Sequence, residues 1–218
     1  MILFENLHKS FSVRGEQKVV IDHVNLMIPS GQSLALLGRN GAGKSTLLSI
    51  IAGTMRPTSG SVQTDGTVSW PISFAGSFHG DLTGAQNVRF IARIYGVDTQ
   101  SLSDFVQEFS ELGSHYHMPV RTYSSGMRSR LAFGASMGVP FDMYLVDEVT
   151  AVGDARFRRK SRDVFINRVE NADAIMVSHD MDLLRTFCSS GVVLEKGRAR
   201  FFESLEDAID LHLELMKQ

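Results

Sequence analysis

Gly38-Arg39-Asn40-Gly41-Ala42-Gly43-Lys44-Ser45-Thr46 follows the short apolar run Ser-Leu-Ala-Leu-Leu at 33–37 and opens the helical stretch 44–52. The nine residues fit G-x-x-x-x-G-K-[ST] without a mismatch. Glycines let the backbone turn successive N–H groups into one concavity. That concavity lies at a helix N-terminus, where the dipole favours an anion. Lys44 then reaches the β- and γ-phosphates of a nucleotide, and the Ser45 hydroxyl is a ligand for Mg²⁺. Gly38, Asn40, Gly41, Ala42, Gly43, Lys44, Ser45 and Thr46 are therefore the expected ATP-binding residues. A buried parallel strand before the loop and a helix after it speak against a glycine-rich turn that carries Lys-Ser by chance.

Around the loop, β-branched and alternating patterns predict short strands at 2–7 and 19–28, and a hairpin at 61–69 around Asp65-Gly66. From about 84 to 137 the period turns helical. Val88, Ile91, Ala92 and Tyr95 share one face, and Leu102, Phe105, Val106 and Phe109 share another. Strand–helix alternation then resumes, with strands at 143–146, 174–177 and 192–194 and helices at 154–170, 181–188 and 205–216. The pattern predicts an α/β fold: a single domain over 1–218, a mostly parallel sheet with helices on both faces, an N-terminal antiparallel β portion, and an inserted helical subdomain at about 84–137.

The 218 residues suffice for one domain with a sizeable core. A formal net charge of -2 gives no bulk electrostatic case for a nucleic-acid partner. A single cysteine, Cys188, suits a reducing compartment and reads as a small buried hydrophobe. No run approaches the roughly 18 apolar residues that span a bilayer, and the N-terminus turns polar too quickly for a signal peptide. The expectation is a cytoplasmic chain that reaches a membrane only through a partner.

Met143-Tyr144-Leu145-Val146-Asp147-Glu148 is an apolar strand ending in two carboxylates. In a parallel α/β sheet such a strand end faces the phosphate loop. Asp147 is the expected Mg²⁺ residue, and Glu148 the acceptor of a proton from the attacking water. His179 follows the next strand on the same sheet edge, where it would support the γ-phosphate. Tyr123-Ser124-Ser125-Gly126-Met127 marks a second helix start with small residues, capped by Ser124 and suited to an anion. Two such anion sites meet on one γ-phosphate only if two chains join head to tail. The cluster Arg156, Arg158, Arg159, Lys160 and Arg162 reads as a solvated helix face. His115 and His117 read as surface residues without metal-ligand spacing.

Together these motifs resemble an ABC-type ATPase subunit, in the order that family places them. Residues 38–46 correspond to its Walker A motif and 143–148 to its Walker B motif with the catalytic glutamate. Ser124, Ser125 and Gly126 stand at its signature, residues 150–154 look like its D-loop with Asp154 as the acidic residue, and His179 matches its switch histidine. The resemblance implies a homodimer with two ATP molecules between subunits, an integral-membrane permease as partner, and Phe11 as the aromatic beside adenine, with Phe4 the neighbouring alternative. Ser69-Trp70-Pro71, Leu82-Thr83-Gly84, residues 123–131 and residues 147–154 look like the capsular polysaccharide exporter (KpsT-like) type. That type implies export of a lipid-linked polysaccharide across a bacterial inner membrane; O-antigen or teichoic-acid export, and a non-transport ATPase, are the rival readings. With the sequence running to Gln218, the expectation is a chain lacking the carbohydrate-binding domain common in O-antigen exporters. It departs from the family at Ser125 and Met127 of the signature, and at the Q-loop, where no glutamine occurs around 72–78. Ser73 and His79 are the nearby candidates to substitute, and residues 77–80 read as a permease-facing loop.

Overall fold

Leu34–Leu37 forms strand β3, and all four side chains are buried. Only a strand covered on both faces can bury every residue, so this run belongs at the centre of a sheet. In the computed structural model, which describes residues 1–13, 15–72, 78–147 and 154–217, β3 is that centre. It pairs in parallel with β6 (Asp173–Val177) on one side and β7 (Ser190–Glu195) on the other. β5 (Met143–Asp147) extends the sheet beyond β6, and β8 (Arg198–Phe202) closes the other edge antiparallel to β7, giving the order β5-β6-β3-β7-β8.

The sequence pattern does not predict β8. Its turn is Lys196-Gly197, with φ of +47° and +80°, a two-residue hairpin connection that ordinarily signals itself through Asn-Gly or Asp-Gly. A lysine in the first position hides it.

A second, antiparallel sheet is built from β1 (Ile2–Val13), β2 (Glu16–Ile28) and β4 (Ser59–Thr64) in the order β2-β1-β4. β1 and β2 run farther than their apolar pattern suggests, until Val13 pairs with Glu16. The extra residues are half-buried or exposed, so no apolar alternation marks them. The predicted hairpin at 61–69 does not form. After Asp65-Gly66 the chain crosses to the edge of β5: Val68 bridges Met143 in parallel, Ser69 N–H donates to the Met143 carbonyl at 2.9 Å, and Leu145 N–H donates to Ser69 Oγ at 2.9 Å. Asp142 fixes the crossing by accepting from both the N–H (2.7 Å) and the hydroxyl (2.8 Å) of Thr67, which hold its carboxyl below the usual range.

Helix α1 (Lys44–Ile51) buries Leu47, Leu48, Ile50 and Ile51 in one apolar cluster with Ile2, Phe4, Leu7 and Ile21 of the antiparallel sheet and Leu34, Leu145 and Ile175 of the other. At roughly 2 kcal/mol for each buried side chain, this face holds α1, and hence the loop before it, in one place. Helix α7 (Leu205–Met216) lies close against β7: a Cβ on Gly191 would stand 2.5 Å from the Ala208 Cβ. α6 (Met181–Phe187), which precedes β7 in the chain, ends at Cys188, which is 7% exposed. Burial pushes its thiol up to about 12, so the residue is an inert hydrophobe, as expected.

These elements form one compact unit, residues 1–71, 141–149 and 172–218; residues 72–140 and 150–171 form another. The second unit holds α2 (Gly84–Tyr95), α3 (Thr99–Ser110), α4 (Ser125–Gly138) and α5 (Ala155–Val169). The sequence pattern groups α5 with the sheet, whereas its contacts lie with α3 and α4. Phe157 packs edge-on to Phe109 (5.2 Å), and Lys160 pairs with Glu111 at 2.9 Å and donates to the carbonyls of Glu108 and Phe109. Arg156, Arg158, Arg159 and Arg162 face solvent, as do His115 and His117. α2 starts with a reciprocal cap, Thr83 Oγ1 accepting from Gln86 N–H (3.1 Å) and Gln86 Oε1 from Thr83 N–H (2.9 Å).

Candidate nucleotide-binding site

β3 delivers the loop 38–43 to the sheet edge, and the backbone there takes shapes that side chains oppose. Gly38, Gly41 and Gly43 have φ of +153°, +81° and +105°. A Cβ on Gly38 would lie 2.4 Å from the Leu194 carbonyl oxygen, and one on Gly43 2.4 Å from Val20 Cγ1. Only glycine fits where backbone and neighbour approach this closely.

The start of α1 differs from that of every other α-helix among the described residues. Thr83, Asp98, Ser124, Asp154, Asp180 and Ser204 each cap their helix with a side-chain oxygen. α1 begins at Gly43, which has no side chain to do so. Its first-turn N–H groups are thus left for an anion from outside the chain. Lys44 extends its ammonium over the same concavity and donates to the carbonyls of Gly38 (2.7 Å) and Arg39 (3.2 Å).

The loop borders a cleft of about 460 Å³ lined by Asn40, Gly41, Gly43, Lys44, Ser45 and Thr46, by Asp147 and Val177 at the ends of β5 and β6, and by Phe11, Val13, Lys18 and Val20 of the antiparallel sheet. That volume lies within the ordinary range for small-molecule sites. Phe11 therefore stands at the cleft, with Lys9 Nζ 4.9 Å from its ring centre, whereas Phe4 is 2% exposed in the core. A neighbouring hollow of about 480 Å³ continues round the loop past Arg39, Asn40, Gly41 and Ala42 to Glu195, Lys196 and Gly197. The Ser45 hydroxyl and the Asp147 carboxylate line one cleft, a pair of hard oxygen donors of the type Mg²⁺ takes. His179 sits two residues beyond Val177 at the same edge and is exposed.

The other site residues read from the sequence belong to the second unit or fall outside the described residues. Ser124 caps α4 by accepting from Met127 N–H (3.2 Å), and Ser125 and Gly126 form the exposed first turn. Asp154 caps α5 by accepting from Phe157 N–H (2.9 Å) and faces Arg130 Nη2 at 3.4 Å. The Phe157 N–H holds its carboxyl below the usual range. Glu148, Ser73 and residues 150–153 lie outside the described residues. His79 is held by Asn87, which accepts from its N–H at 2.8 Å and donates to its carbonyl at 3.1 Å.

Sequence reasoning misses Lys18 and Val20 at the cleft, because strand pattern alone does not say which exposed face of β2 meets the loop. It also misses His212 of α7, 9% exposed, whose buried Nδ1 has no hydrogen-bond partner among the described residues. Burial, with the nearby charges of Lys44 and His179, pushes its imidazole below the ordinary value.

The family model for the ABC transporter domain matches residues 21–151. The chain is 49% identical over 212 residues, 96% of this chain and 97% of the other, to the polysialic acid transport ATP-binding protein KpsT of Escherichia coli. It is 42% identical over 217 residues, the full length of both, to the ATP-binding protein BexA of Haemophilus influenzae. Among solved structures it is similar to an ATP-binding subunit of an ABC transporter (TM-score 0.79, 19% identity, all of both chains) and to a dimeric ATP-binding cassette in a post-hydrolysis state bound to ADP and Pi (TM-score 0.74, 21% identity, 93% of this chain and 98% of the other). The architecture is thus that of ATP-binding cassettes, and with the matched domain and these relatives the chain belongs to the ABC transporter family, as one of its ATP-binding ATPase subunits.

Proposed function

We propose that this chain hydrolyses ATP with Mg²⁺ to drive export of a lipid-linked capsular polysaccharide through a separate membrane permease, working as a homodimer at the cytoplasmic face of the inner membrane. The observation that carries the hydrolytic part is the cleft where the uncapped start of α1, Lys44, Ser45 and Asp147 converge. The cargo reading rests on the relatives, whose likeness runs nearly end to end; the capsule polysaccharide export ATP-binding protein CtrD of Neisseria meningitidis is 42% identical over 97% of this chain, against 36% for an O-antigen export protein of Klebsiella pneumoniae.

In this reading the first-turn N–H groups of α1 and the Lys44 ammonium hold the β- and γ-phosphates, and Phe11 stacks on the base. Ser45 and Asp147 would hold Mg²⁺, which would supply neutralisation of the phosphate charge. Water attacks the γ-phosphorus in line, Glu148 accepts its proton, and His179 supports the γ-phosphate oxygens. The exposed turn of Ser124, Ser125 and Gly126 serves the nucleotide of the second copy, where backbone N–H groups rather than the departed glycine and glutamine do the binding. Among the described residues no helix is long and apolar enough to cross a membrane, so the permease supplies the passage.

The experiment is recovery of tagged Glu148→Gln protein from native membranes with ATP present, its partners identified by mass spectrometry. A polytopic membrane protein from a polysaccharide-export locus is expected. Ribosomes, nucleic acid, or a dimer without a membrane partner would leave the ATPase and remove the exporter.

A further inference from the structure

Away from the cleft, His8, Asp22 and His23 bring one ligand atom each within 4.8 Å of the others. Consecutive residues of a regular strand point to opposite faces. Here the β1–β2 register shifts between Leu7 and Lys9, and His23 takes φ of +49°, so Asp22 and His23 turn to the same side, against His8. Positive φ is uncommon in non-glycine residues, and such conformations gather at functional positions. The position of Asp22 is fixed from behind, its N–H donating to the Gly197 carbonyl at 2.8 Å.

Asp22 Oδ1 lies 2.8 Å from His23 Nδ1 and 3.8 Å from His8 Nδ1, and the imidazole rings stack at 4.5 Å. Ligand atoms on one tetrahedral zinc, at bond lengths of 2.0–2.2 Å, stand roughly 3.3 Å apart, between these two separations. His8 Nδ1 is buried and makes no hydrogen bond among the described residues, an arrangement that costs about 1–3 kcal/mol unless something occupies it. A hollow of about 260 Å³ beside Asp22 and His23, bounded also by Asn25 and Arg198, opens the group to solvent.

We infer that His8, Asp22 and His23 bind a divalent transition-metal ion of the zinc class. Two imidazole nitrogens and one carboxylate oxygen suit a borderline ion rather than Mg²⁺ or Ca²⁺, and three protein ligands leave a position for water. Binding replaces the His23–Asp22 hydrogen bond: the Nδ1 proton moves to Nε2 of His23, and both Nδ1 atoms face the metal. The ion clips β1 to β2 in the hairpin that carries Phe11 and Lys18 to the nucleotide cleft. Arg198, the cation facing the group, sets the affinity below that of a four-ligand structural site.

The test is Co²⁺ titration of tag-free, full-length protein, followed by its d–d absorption and by Zn²⁺ displacement. One Co²⁺ per chain is expected. His8→Gln, Asp22→Asn and His23→Asn should each weaken it tenfold or more; asparagine tolerates positive φ, so His23→Asn keeps the backbone. Zn²⁺ should raise the denaturation midpoint of the wild type but not of His23→Asn, and the double variant His115→Gln/His117→Gln should bind as the wild type does. Substoichiometric binding, equal affinity in the three ligand variants, or loss in the His115/His117 variant would overturn the site.

Discussion

Replacing Gly43 by alanine tests whether the phosphate loop owes its shape to the close approach of β2. Two costs follow from the geometry. A side chain at φ of +105° is strained by roughly 1–2 kcal/mol. The new Cβ would also meet Val20 Cγ1 at 2.4 Å, an overpacking of about 1–3 kcal/mol. The sum, about 3 kcal/mol, corresponds to a fall in Tm of ~6–12 °C for a chain of this size. Val20→Ala removes the second cost and leaves the first. In a double-mutant cycle read by denaturant midpoints, Val20→Ala should therefore couple favourably to Gly43→Ala by about 1–3 kcal/mol. ATP affinity should fall in Gly43→Ala and recover only in part in the double variant. Additivity of the two substitutions, or a Gly43→Ala protein within ~0.5 kcal/mol of wild type that binds ATP normally, would refute the reasoning.

Three further outcomes follow from other parts of the fold. Thr83→Ala removes the side-chain half of the α2 cap, leaving the backbone N–H at 83 to donate to Gln86, and should cost about 1 kcal/mol, read by denaturant titration. Asn87 is 3% exposed and bonds to His79, Leu82 and Thr83, so Asn87→Ala should cost roughly 2–3 kcal/mol and speed hydrogen exchange at His79. His212 has its folded pKa depressed by burial, so the unfolded chain takes up a proton near the ordinary value of about 6.5 while the folded chain does not; stability falls as pH drops through that window toward 5, and His212→Gln should flatten that dependence in midpoints measured from pH 8 to 5.

The parts of the molecule legible in the sequence are those where one residue type is forced. The phosphate loop is such a place: Gly38, Gly41 and Gly43 are required by backbone conformation, so motif and geometry coincide. The all-buried β3 and the faces of α2 and α3 are equally plain, because burial writes itself as apolar period, although Tyr95, read onto the α2 face, is 39% exposed. Edges are not legible. β8 reads Arg-Ala-Arg-Phe-Phe with exposed charges, and the far ends of β1 and β2 are half-buried or exposed, so no apolar alternation marks them. The false hairpin at 61–69 has a true turn at Asp65-Gly66, but the choice between pairing backward and crossing to β5 is made by Thr67 and Asp142, 75 residues apart. The His8–Asp22–His23 group is hidden for the same reason: its members meet through a register shift that no local pattern encodes.

The most direct test of the central claim, that ATP is bound at this loop and hydrolysed with the carboxylate after Asp147 as base, is the turnover of purified Glu148→Gln beside the wild type, with bound ATP measured in the same samples. The account predicts a variant that retains ATP while turnover falls by ~10²–10⁴. Near-normal turnover in that variant, with ATP still bound, would contradict it.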